Sequence, residues 1–83
     1  MVEIVEFTES ELVDFYKKIG QNVKKYREEK GITQMELAHA IGHNSVGHIA
    51  KAEINKYGKH FSLEHIYKIA KILGIKTSQL IDE

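Results

Sequence analysis

Three lysines, Lys51, Lys56 and Lys59, fall within nine residues of one another. Hydrogen-bonding side chains lie before and among them: Gln34, Asn44, Ser45, His48 and Asn55. An ammonium group can meet a phosphate, or give a hydrogen bond to guanine O6 or N7. Val46 can touch a thymine methyl group, and Gly47 completes the same stretch. Asn44 and Ser45 either join that surface or only cap a helix. Tyr57 either hydrogen-bonds a phosphate or packs under its loop. The chemistry these types suggest is nucleic-acid recognition. Arg and Gln are scarce in the set, so base readout is expected to be weak or to lean on DNA shape.

Other chemistries fit poorly. No nucleophile is paired with a base and an orienting acid, and no glycine loop suits phosphates, so no enzyme is expected. His39 and His43 are four apart, but Gly42 between them ends a helix and spoils the spacing. His60 and His65 are five apart, and the chain has no cysteine, so neither a metal nor another cofactor is expected. His43, His48 and His60 are instead candidates for sensing a nearby phosphate. With 83 residues the chain supports one small domain. No apolar run approaches the ~20 residues of a membrane span, and a cytoplasmic place is the plain expectation.

Those side chains need elements to hold them. Thr33 with Glu36 forms a capping box that opens a helix ending near Ile41. Ala38 permits close approach, and Gly42 can take the left-handed conformation that stops the helix sharply. Asn44 or Ser45 then caps a second helix, about 45–52. Leu37, Ile41 and Ile49 face inward and join the two. This is a helix-turn-helix, whose second helix enters the major groove of DNA.

The rest is helical too. Thr8 with Glu11 caps a long helix, about 9–30, with an apolar stripe at Leu12, Tyr16, Ile19, Val23 and Tyr26. Gly20 is the one place for a bend. Asn55 to Phe61 reads as loop. Ser62 caps a helix carrying Leu63, Ile66, Ile69, Ala70 and Leu73, stopped by Gly74. Thr77 or Ser78 opens a last short helix. The first residues, VEIVEF, suit an extended arm or a strand.

Net charge is zero, but it is not evenly spread. Residues 1–16 hold five acids and no base. The remainder holds all 12 bases and 12 − 5 = 7 acids, a balance of +5. An acidic arm with the start of the first helix (1–16) thus precedes a basic domain (17–83), as phosphate binding requires. Residues 2–16 would be repelled by phosphates and are expected to serve association.

Two blocks, IGQNVKKYREEKGITQMELAHAIG (Ile19 to Gly42) and SLEHIYKIAKILGIKTSQLI (Ser62 to Ile81), carry a wider likeness. With them the chain resembles the Cro/repressor-type helix-turn-helix family, also called the xenobiotic-response-element type. Two spacings depart from the common form. Gly42 to Ile49 is seven steps rather than six, and the loop from Glu53 to Ser62 is longer.

The resemblance implies an all-α, five-helix DNA-binding domain. Its expected function is a sequence-specific transcriptional regulator, a repressor that binds double-stranded DNA as a homodimer. It also implies that Gln34 meets a phosphate and braces the recognition helix, that Asn55, Lys56 and Lys59 touch phosphates, and that Arg27 pairs with Glu53. Two alternatives differ in class. One is an antitoxin-like or adapter protein whose arm binds a protein partner. The other is a domain that keeps the fold for protein association alone.

Overall fold

The computed structural model describes residues 2–42 and 46–82. Among them are five α-helices: α1 (Glu9–Glu29), α2 (Gln34–Ala40), α3 (Val46–Glu53), α4 (Leu63–Leu73) and α5 (Thr77–Ile81). A 3-10 turn, Lys56–Gly58, lies within the loop between α3 and α4. The all-α expectation holds, and the described residues contain no strand. Val2–Phe7 has no regular secondary structure and is exposed, so it forms no strand here. No helix among the described residues is long and apolar enough to cross a membrane.

Local chemistry sets the helix starts. Thr8 Oγ1 accepts from the Glu11 N–H at 3.1 Å, and Glu11 Oε2 accepts from the Thr8 N–H at 3.2 Å. Thr33 and Glu36 make the same reciprocal pair, both bonds 3.0 Å. At α4 the third position is histidine. Ser62 Oγ accepts from the His65 N–H, and His65 Nδ1 accepts from the Ser62 N–H at 3.4 Å. Each box satisfies two backbone donors that a helix start leaves open. For α5, Gln79 Oε1 accepts from the Lys76 N–H at 2.9 Å. At the other end of α2, Gly42 takes φ 75° in the left-handed region.

Among the described residues thirteen apolar side chains form the core, drawn from all five helices, the Ile41 cap and Phe61. Ile19 and Val23 come from α1, Leu37, Ala38 and Ile41 from α2 and its cap, Ile49 and Ala52 from α3, and Ile66, Ile69, Ala70 and Leu73 from α4. Leu80 of α5 closes it. Helices of five to eleven residues are marginal alone in water, so this shared burial holds α2 to α5.

α1 runs unbroken across Gly20. Gly20 has another purpose. A Cβ at this position would lie 2.4 Å from the Glu53 carbonyl oxygen and 2.6 Å from that of Ala52. The end of α3 rests directly on the backbone of α1. Asn22, also buried, secures the far end of the chain: its Nδ2 donates to the Leu80 and Asp82 carbonyls, each at 2.9 Å.

Two outcomes follow from this packing and capping. Gly20→Ala gains up to ~1 kcal/mol in helix propensity. It should nonetheless destabilise the protein by about 1–3 kcal/mol or more, because backbone must move. Urea denaturation checks this, and an unshifted midpoint would contradict the close approach. Glu36 is held below its ordinary 4.5 by the Thr33 N–H and then the Thr33 hydroxyl. A lowered folded value means its stabilisation is present above 4.5 and lost as pH falls through that folded value. Glu36→Gln should therefore flatten the acid side of the thermal-stability curve against pH.

Candidate nucleic-acid interface

The site is built from one carboxylate outward. Arg27 and Glu53 are 7% and 2% exposed. Arg27 Nε donates to Glu53 Oε2 at 2.7 Å, and Nη2 donates to Oε1 at 3.0 Å. The same guanidinium gives its Nη1 hydrogen to the Ile32 carbonyl at 2.8 Å. Gln34 Nε2 donates to Glu53 Oε1 at 2.9 Å. The end of α3 is thus held by α1 and by the first residue of α2. The Glu53 hydrogen bond, above all, raises the Arg27 pKa beyond its ordinary value, so the guanidinium stays charged. The bracing role of Gln34 and the Arg27–Glu53 pair are both present as the resemblance implied.

The described part of α3 spans Val46–Glu53, so the helix ends one residue later than expected. Its inner stripe is Val46, Ile49 and Glu53, with Ala52 beside it. Val46 packs against the core and does not face outward. His48 does not face outward either. It lies four residues before buried Ala52, on the same side of the helix. Its half-buried ring sits 5.4 Å from that of His65 and 6.4 Å, edge-on, from Phe61. Both were expected on the outer side; the helical period turns Val46 toward the core, and His48 toward Phe61 and His65. Gly47 and Lys51 are exposed, as expected. His43, Asn44 and Ser45 lie outside the described residues.

The outer face holds two residues that sequence reasoning passed over, Ala50 and Ile54. Ile54 is exposed and lines a hollow of about 260 Å³ with Gly47, Ala50, Lys51 and Lys56. Its place seven residues after Gly47 was the available signal. In the following loop, Asn55 adopts a left-handed backbone and its Nδ2 donates to the Lys59 carbonyl at 2.9 Å. Its amide closes the loop. Lys56 and Lys59 are exposed.

Tyr57 is 78% exposed, so it does not pack under the loop. Its backbone is left-handed at φ 55°, a conformation side chains seldom take. The Lys56 and Lys51 ammonium groups lie 5.2 and 6.0 Å from its ring centre. His60 stacks on Tyr16 of α1, with centroids 3.9 Å apart and planes within 12°. Its Nδ1–H donates to the Gly58 carbonyl at 3.1 Å. Among the described residues no group of three or more His, Asp or Glu side chains could hold a metal ion.

Two short helices joined at a left-handed glycine, the second braced by a buried ion pair and exposed on one face, define a helix-turn-helix domain. The helix-turn-helix family model matches residues 23–80, well over half of the chain. The chain belongs to this family, of the Cro/repressor type. It is 30% identical over 69 residues to the HTH-type transcriptional regulator SinR of Bacillus subtilis (strain 168), covering 78% of this chain and 57% of SinR. It thus spans little more than half the length of that relative. Among solved structures it resembles the restriction-modification controller protein C.AhdI from Aeromonas hydrophila, with a TM-score of 0.69 and 30% identity. That likeness covers 81% of this chain and 96% of the controller protein.

The bracing makes a direct prediction. Glu53→Ala leaves a buried guanidinium and the Gln34 amide without their acceptor. The expected destabilisation is about 3–5 kcal/mol in urea denaturation. The double change Arg27→Met with Glu53→Met should cost much less, since no uncompensated charge remains. Equal effects in the two would show that the pair is not behaving as a coupled, buried unit.

Proposed function

We propose that this protein is a sequence-specific DNA-binding transcription regulator, a repressor that binds double-stranded operator DNA as a homodimer in the cytoplasm. The observation that carries the reading is the outer face of α3. Gly47 and Lys51 stand exposed on a helix fixed by the Glu53 clamp, beside the exposed Lys56, Tyr57 and Lys59. An exposed short helix bordered by three ammonium groups suits a major groove flanked by phosphates. Membership of the helix-turn-helix family and the likeness to a transcriptional regulator and to a controller protein support it.

Lys51 is the base-edge or phosphate donor on the helix, and Lys56 and Lys59 are phosphate donors in the loop. Gln34 remains a candidate phosphate donor in addition to its bond to Glu53. Val46 and His48 are engaged with the core side, and the Asn55 amide with its own loop. The described readout surface is therefore small, which favours a large share of backbone contact and DNA shape in recognition.

Such a complex responds steeply to salt. A slope of roughly −3 to −6 in log K against log salt is expected per dimer. Changing Lys51, Lys56 and Lys59 to Ala should make the slope shallower by roughly one unit for each phosphate that a dimer no longer neutralises. Fluorescence anisotropy with operator DNA selected from a random pool measures both. A flat response in the unaltered protein would remove the DNA-binding reading.

A further inference from the structure

We infer that Ile54, with Ala50 and Gly47, receives the 5-methyl group of a thymine in the major groove, which makes Ile54 a residue that sets the preferred DNA sequence. This deepens, and rests on, the DNA-binding reading above.

Helical period collects these residues on the side of α3 that faces away from the body. Ala50, Lys51 and Ile54 follow Gly47 by three, four and seven residues. The Ile54 N–H donates to the Lys51 carbonyl at 3.2 Å, which carries the stripe one residue past the end of the helix. Val46, Ile49 and Glu53 are committed to the core and to the Arg27 clamp. Among the described residues the outer stripe thus has one hydrogen-bonding side chain, Lys51. Its other members offer a hydrogen, a methyl and a branched hydrocarbon. Ile54 is 58% exposed. With Gly47, Ala50, Lys51 and Lys56 it lines the hollow of about 260 Å³. Gly47 has no side chain, so a base edge can approach the helix backbone closely at that end.

Charge and polarity identify the occupant. The two lysines of the hollow hold their ammonium groups 6.0 and 5.2 Å from the Tyr57 ring centre, and Lys59 is exposed on the same loop. No acid among the described residues lines the hollow. Its occupant is therefore apolar at one point and negatively charged around it. In the major groove the four bases present donors, acceptors and a single apolar group, the C5 methyl of thymine. Phosphates stand on both sides of it. With Val46 packed against the core, Ala50 and Ile54 are the apolar side chains that α3 and its last turn hold out to such a methyl. An acidic protein segment with one apolar side chain has the same outline. DNA is favoured because the hollow lies on the second helix of a helix-turn-helix, the element that enters the groove.

Deoxyuridine differs from thymidine only by that methyl, so it isolates the contact. The probe is a duplex selected from a random DNA pool by the unaltered full chain. Its thymines are replaced one at a time by deoxyuridine, and fluorescence anisotropy reads the affinity. At one thymine or more the replacement should weaken binding by roughly fourfold, the equivalent of about 0.8 kcal/mol for one buried carbon. Ile54→Ala alters an exposed side chain and should keep the helical circular dichroism. It should weaken binding to the thymine duplex by roughly threefold to tenfold. With this variant the same deoxyuridine should cost less than about twofold more, because the two changes remove one contact. If no thymine is sensitive, or if Ile54→Ala keeps the full deoxyuridine effect, the methyl contact is wrong while DNA binding stands. If no duplex is enriched from the pool, the DNA-binding reading falls and the methyl contact with it, leaving the hollow to an acidic protein partner.

Discussion

The carboxylate of Glu53 is where three helices agree on their positions. It is buried and charged, so it must be fully partnered. Arg27 supplies two donors from α1 and Gln34 one from α2. The backbone of the same residue presses on Gly20, about two turns before Arg27 on α1. Side chain and main chain of Glu53 therefore fix both the angle and the depth at which α3 ends. A buried pair of this kind adds little net stability against well-packed apolar groups. Its consequence is orientation: Lys51 lies two residues from the clamp, on the opposite face.

α3 divides its eight residues sharply between two surfaces. Val46, Ile49 and Ala52 belong to the core, and His48 to the aromatic contact with Phe61 and His65. What is left for a ligand is Gly47, Ala50 and Lys51, continued by Ile54. A helix so thinly furnished depends on its surroundings. Asn55 and Tyr57 both hold left-handed backbones, conformations that cost on the order of 1 kcal/mol each in residues other than glycine. The Asn55–Lys59 hydrogen bond closes that loop and keeps Lys56 beside the exposed tyrosine ring.

The N-terminal half of α1 follows a different logic. Its apolar residues continue the stripe that packs the core, but the body ends before the stripe does. The sign of its charge reverses at the same place.

Local sequence determined the elements. Thr8 with Glu11, Thr33 with Glu36, and Ser62 mark helix starts because their side chains bond backbone only three residues away. The 3.6-residue period placed Ile66, Ile69 and Leu73 on one buried face, and Gly42 announced the left-handed turn. Resemblance, rather than spacing, supplied the Arg27–Glu53 pair and the Gln34 brace. Tertiary structure alone decided the rest. Gly20 reads locally as a weak point, yet it meets a carbonyl 53 − 20 = 33 residues on. Asn22 reads as one more polar helix residue, yet it binds carbonyls 58 and 60 residues away. Val46 and His48 read as outward because a single helix has no inside until neighbours cover one face; the core cluster covers Val46, and Phe61 with His65 meets His48. VEIVEF has strand composition but no paired edge among the described residues, and a strand needs a partner's hydrogen bonds where a helix carries its own.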